Sequence, residues 1–129
     1  MNDKYKIAVI GLGYVGLPLA KSFSKHFHTI GYDVNDNLID NLILNESKSL
    51  NFTKIPADLI NSNIYIITVP TPIDKDKRPD LSPLKLASKS IGSILNKGDL
   101  VIYESTVFPG ATEEICIPII ESVSRMKYN

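Results

Sequence analysis

The chain has 129 residues, enough for one hydrophobic core of ordinary domain size. Hydrophobic residues make up 43% and charged residues 22%, and 14 basic side chains balance 14 acidic ones, so no bulk field draws it to nucleic acid or an anionic membrane. No apolar run approaches the roughly 18 residues of a membrane span, and the opening MNDKYKIAVI lacks the apolar core and cleavage site of a secretory signal. The single cysteine, Cys116, cannot form an internal disulfide, which fits a cytoplasmic protein.

The predicted elements alternate along the chain. Residues 6–11 (KIAVIG) read as a buried strand ended by glycine, and 15–27 as a helix with Val15, Leu19, Ala20 and Phe23 along one face. Residues 28–33 (HTIGYD) form a second short strand ending on an acid, and 35–45 a second helix with Leu38, Ile39, Leu42 and Ile43 as its apolar stripe. For 46–63 the expectation is a loop, a short extended piece and a single helical turn. Residues 64–69 (IYIITV) are the strongest strand, followed by a proline-rich surface loop at 70–80. Ser82 is the expected N-cap of a third helix and Pro83 its first residue, a position where the missing N–H costs nothing. A fourth strand lies around 100–104, and Glu113 and Glu114 suit the start of a fourth helix.

Strands separated by crossover helices predict an α/β fold, a Rossmann-like doubly wound parallel sheet with right-handed connections. The order stops after four strands, short of the roughly six of a full dinucleotide-binding sheet. The expectation is therefore a fragment, truncated after about four to five βα units.

A single G-x-G-x-x-G is weak in isolation, but Gly11-Leu12-Gly13-Tyr14-Val15-Gly16 follows a predicted strand and opens a predicted helix. In that context Gly11 permits a tight turn, Gly13 lets backbone N–H groups approach a pyrophosphate, and Gly16 allows the helix to pack close to the strand. The helix N-terminus then offers N–H groups and partial positive charge to phosphates. Asp33 ends the next strand, 22 positions after Gly11, where a carboxylate can accept hydrogen bonds from ribose hydroxyls and repel a 2′-phosphate. The pattern favours NAD over NADP. The alternative is a turn-forming glycine cluster beside a helix-capping aspartate.

Five blocks in order, GLGYVGLPLA, GYDVN, TVPTPID, PDLSPL and YESTVFPGATEE, resemble the N-terminal part of the UDP-glucose/GDP-mannose dehydrogenase family, most closely its bacterial branch acting on UDP-N-acetylhexosamines. They run from about residue 6 to residue 121. The resemblance implies oxidation of a nucleotide sugar at C6 from alcohol to carboxylate, with two NAD reduced and the intermediates held on a cysteine, in surface polysaccharide or capsule synthesis. It implies that Gly11, Gly13, Tyr14, Val15 and Gly16 form the pyrophosphate loop, that Asp33 holds the ribose and that Thr71 contacts the cofactor. Thr106 would lie near the nicotinamide and the catalytic water, which its hydroxyl can orient by donating and accepting. By residue type alone, Thr71 and Thr106 are threonines of the kind common at strand ends and turns.

By the same resemblance, 1–129 is the NAD-binding domain, while the catalytic lysine, asparagine and cysteine and the nucleotide-sugar domains lie beyond it. The complete enzyme would be a homodimer or larger, with no metal, nucleic acid or membrane partner. Two departures stand out: the stretch between Asp33 and Phe52 is short for the family, and Leu38 and Ile39 occupy the place of its basic residue after the ribose acid.

Cys116 sits on an apolar helical stripe with Ile119, Ile120 and Val123 and reads as a packing residue, not a nucleophile. His26 and His28 lack a third ligand for a metal site, and the run 74–78 (DKDKR) reads as a solvated loop. Two other functions compete: the cofactor domain of a hydroxyacid or 6-phosphogluconate type dehydrogenase, against which TVPTPID and YESTVFPG speak, and a non-catalytic NAD-sensing module.

Overall fold

The structure, a computed structural model, describes residues 2–46, 50–73, 75–104 and 112–127. Five strands, β1 (Asn2–Ile10), β2 (Phe27–Tyr32), β3 (Asn51–Thr53), β4 (Ile64–Ile67) and β5 (Leu100–Tyr103), form one sheet in the order β3-β2-β1-β4-β5. Every pairing between them is parallel. The helices are α1 (Gly16–Ser24), α2 (Asp36–Asn45), α3 (Ser82–Gly92) and α4 (Ile117–Ser124).

The expected Rossmann-like sheet is therefore present, with one strand more than the four read from the pattern. The addition is β3, the short extended piece, which pairs Asn51, Phe52 and Thr53 with Ile30, Gly31 and Tyr32. Three residues at a sheet edge are too few to show a period. The single turn after it is a 3-10 turn at Pro56–Leu59.

Alternation along β1 divides the core in two. Ile7 and Val9 face Leu12, Ala20, Ile39, Leu42 and Phe52 on the side of α1 and α2. Ala8 and Ile10 face Tyr65, Ile67, Leu84, Ala87 and Ile91 on the side of α3. A strand buried on both faces has to be apolar throughout, as the run Ile7 to Ile10 is.

Two helix starts differ from expectation. Ser82 is not the cap of α3 but its first residue, with Pro83 second; Leu81 takes the cap position without a side-chain bond. The acceptor comes from further back, because Asp80 Oδ1 receives the Ser82 N–H at 2.9 Å. Hydrogen bonds from the Ser82 hydroxyl and N–H hold the Asp80 carboxyl below its usual range. Before α4, Thr112–Cys116 form a wide π turn that carries Glu113 and Glu114, so these acids precede the regular helix.

Candidate functional site

The strands β1 and β4 are neighbours, yet their following helices lie on opposite faces of the sheet, and a crevice opens at their C-terminal ends. Within it lies a cleft of about 600 Å³, lined by Gly11, Gly13, Asp33, Thr71, Ala87 and Ser90 among others. That volume suits a small-molecule or cofactor site.

The glycine turn forms one wall. Gly11 has φ +99°, in the left-handed region that favours glycine, and a Cβ there would stand 2.9 Å from the Val69 nitrogen. Gly16 begins α1, and a Cβ on it would fall 1.6 Å from the Gly11 carbonyl oxygen. A Cβ on Gly13 would meet nothing within 4 Å. Gly13, Tyr14 and Val15 all line the cleft, and all three are exposed. Val15, expected on the buried face of the first helix, instead caps it as the residue before Gly16.

Asp33 follows β2 and lines the cleft, half-buried. Its carboxylate accepts two backbone N–H groups, Leu12 N–H on Oδ2 at 2.9 Å and Asn35 N–H on Oδ1 at 3.0 Å. Asn35 in turn caps α2, its side chain accepting the Leu38 N–H at 3.0 Å. Each Asp33 oxygen keeps a lone pair for a further donor. Leu38 also lines the cleft and gives an apolar wall where the resemblance would place a basic residue.

Thr71 reaches the same cleft from the loop after β4, so the structure gathers Gly11, Gly13, Tyr14, Val15, Asp33 and Thr71 at one place, with Gly16 directly beneath. Thr106 lies outside the described residues. Asp33 and Glu104 are the charged side chains on the described lining, and no lysine or arginine joins them. An anionic ligand would therefore be held by backbone N–H groups and the N-terminus of α1. Open space over Gly13, a helix N-terminus behind it and an oriented carboxylate opposite fit a dinucleotide. No group of three or more His, Cys, Asp or Glu able to hold a metal occurs among the described residues.

Two residues at the site show no sign of their role in residue type, although they stand within the blocks GLGYVGLPLA and TVPTPID. Leu12 is buried at the centre of the turn, and Thr68, just past β4, donates its hydroxyl to the Gly11 carbonyl at 2.7 Å. Cys116 is fully buried behind α3, near the Ser88 and Tyr103 hydroxyls, which lie 2.7 Å apart. Burial pushes its thiol up, keeping it protonated, as suits a packing residue. Burial likewise pushes Tyr65 up to about 12, and its hydroxyl donates to the Leu59 carbonyl. No described helix is long and apolar enough to cross a membrane.

Residues 5–129 match the family model described as "UDP-glucose/GDP-mannose dehydrogenase family, NAD binding domain". The chain is 50% identical over 137 residues to the UDP-N-acetyl-D-glucosamine 6-dehydrogenase of Pseudomonas aeruginosa, covering 96% of this chain and 32% of that protein. It is 49% identical over 140 residues to the enzyme of the same name from Salmonella typhi, covering 98% and 33%. Among solved structures, the UDP-D-ManNAc dehydrogenase of Pyrococcus horikoshii matches with a TM-score of 0.89 at 32% identity, over 96% of this chain and 34% of that one. The chain spans about a third of the length of the curated relatives it matches. Alignments of 137 and 140 residues exceed its 129, so these relatives carry residues within the matched region that it lacks.

Proposed function

The chain belongs to the UDP-glucose/GDP-mannose dehydrogenase family, whose NAD binding domain it matches, and from that premise we propose that it is the cofactor half of a nucleotide-sugar 6-dehydrogenase. In this reading residues 1–129 are the NAD-binding domain, and the parts that grip the sugar nucleotide lie outside them. The reaction converts the C6 alcohol of a UDP-N-acetylhexosamine to a carboxylate and reduces two NAD. The identity of about one half to two UDP-N-acetylglucosamine 6-dehydrogenases supports that substrate class. The complete enzyme works in the cytoplasm as a homodimer or larger assembly and feeds surface polysaccharide synthesis.

The observation that carries this reading is the split within the glycine turn, where Gly13 faces open space while Gly11 and Gly16 are pressed against backbone. NAD supplies the hydride acceptor. The chain's residues bind and orient it. Backbone N–H groups from Gly13 to Gly16 hold the pyrophosphate, with the α1 dipole behind them. The free lone pairs of Asp33 accept the adenosine ribose hydroxyls, and the same negative charge repels a 2′-phosphate. Leu38 offers the adenine an apolar face, Thr71 contacts the cofactor beyond β4, and Thr106 orients the water that enters the second oxidation.

Calorimetric titration of the chain with NAD, and with NADP in parallel, tests the cofactor half. Saturable NAD binding with NADP far weaker is the expected result; equal or preferential NADP binding, or no NAD binding, overturns it. Replacing the matching third of the Pseudomonas aeruginosa relative with this chain tests the rest. The chimaera should form NADH with UDP-N-acetylglucosamine, and a folded chimaera that binds NAD but forms none would remove the assignment to that reaction.

A further inference from the structure

At the C-terminal end of β1 the chain leaves the sheet, and two successive peptide units are gripped from both sides as it does so. The Ile10–Gly11 unit is held chiefly by backbone: its carbonyl accepts the Thr68 N–H at 2.8 Å and, as the longer of that residue's two hydroxyl contacts, the Thr68 hydroxyl at 3.1 Å, and its N–H donates to the Tyr32 carbonyl at 2.8 Å. The Gly11–Leu12 unit lies past the turn at Gly11, where φ is +99°, and backbone from the neighbouring strands no longer serves it. Side chains take over. The Thr68 hydroxyl donates to the Gly11 carbonyl at 2.7 Å, and the Asp33 carboxylate accepts the Leu12 N–H at 2.9 Å. In a trans peptide the C=O and N–H point opposite ways, so the two bonds pull from opposite sides.

Asp33 follows β2 and Thr68 follows β4, the two strands that flank β1. Together they add one rung to the ladder, made of side chains. The Leu12 side chain is buried in the core, which anchors the same unit. The Thr68 oxygen also stands 2.5 Å from where a Gly16 Cβ would be, so it fills the corner between the turn and the start of α1.

We propose that Thr68 is a positioning residue for the phosphate cradle: with Asp33 it clamps the Gly11–Leu12 peptide and sets the turn before any ligand arrives. The inference rests on the NAD-binding reading for its functional value, while the clamp itself can be observed without ligand. Preorganisation of this kind strengthens binding by removing the cost of ordering a loop. Because the clamp acts on the pyrophosphate side, shared by NAD and NADP, Thr68 governs affinity and leaves cofactor preference to Asp33.

The test compares Thr68→Val, which keeps the shape and loses the hydroxyl, with Thr68→Ser, which keeps the hydroxyl. Amide hydrogen exchange followed by NMR reads the clamp at the Leu12 N–H. In Thr68→Val that amide should exchange about tenfold faster, while the sheet amides of Val9 and Ile66 keep their protection and Thr68→Ser restores Leu12. NAD affinity should fall about tenfold in Thr68→Val, with the NADP to NAD ratio unchanged. Unaltered Leu12 protection in a folded Thr68→Val variant overturns the clamp, and so does a serine variant that behaves like valine. If the valine variant does not fold, Thr68→Ala makes the same comparison with serine. Absence of NAD binding in the unaltered chain would overturn the cofactor reading instead, and the exchange data would still decide the clamp.

Discussion

Around Gly11 and Gly16 the glycine turn is pressed against its own fold, whereas from Gly13 to Val15 it looks onto open space. A side chain at the first two positions would strike the Val69 nitrogen or the Gly11 carbonyl, while one at Gly13 would touch nothing. Gly11 and Gly16 are buried and Gly13 is exposed. One sequence motif thus contains two kinds of glycine. The outer pair makes the turn possible, and the middle one leaves room for what the turn holds.

Substitutions can break that division, and the largest effect falls on the outer pair. A Gly16→Ala chain should lose roughly 3 kcal/mol or more of stability, with about a 10 °C fall in Tm, because a Cβ placed 1.6 Å from a backbone oxygen forces α1 off the strand. Thermal unfolding checks this, and a Tm within a degree or two of the unaltered chain would erase the distinction. Gly13→Val should do the reverse. Its stability should stay within about 1 kcal/mol, since the side chain starts into open space, while NAD binding falls by more than about a hundredfold as it fills the volume proposed for the phosphates. Calorimetry beside a melting curve reads both; retained affinity would mean that the cofactor approaches elsewhere.

The smallest effect sharpens the boundary on the ribose side. Asp33→Ala should weaken NAD about tenfold and bring NADP closer to it, because the carboxylate proposed to accept the ribose hydroxyls and repel a 2′-phosphate is gone. Parallel titrations measure the ratio, and an unchanged preference would take Asp33 out of the selection.

The glycine turn and the place of Asp33 beside it were legible because backbone freedom and an acid at a strand end leave a mark in residue type at fixed spacing. The alternation of strand and helix was legible for the same reason: β1 and β4 bury both faces and carry unbroken apolar runs. Legibility failed where the cause is distant or short. Thr68 finds its acceptor 57 residues away, and no local pattern announces such a bond. The strand β3 is three residues long and makes sense only beside β2. At α3, Ser82 has the chemistry of a cap, but the carboxylate of Asp80 reaches its N–H first. The π turn at Thr112–Cys116 leaves no signature that propensity could separate from an ordinary helix start.

Asp33 supports the Leu12 amide, the Asn35 amide and, in the proposed complex, the ribose. In that complex a change of cofactor taste cannot be a matter of removing one charge, because the residue proposed to choose is also a strut of the glycine turn. A small uncharged residue there would admit the 2′-phosphate and loosen the Gly11–Leu12 peptide in the same step. Asparagine is the gentler intermediate, since its one carbonyl oxygen can still take the Leu12 N–H without the repelling charge. On the proposed reading, this double duty makes cofactor preference slow to drift and marks the narrow path along which it could.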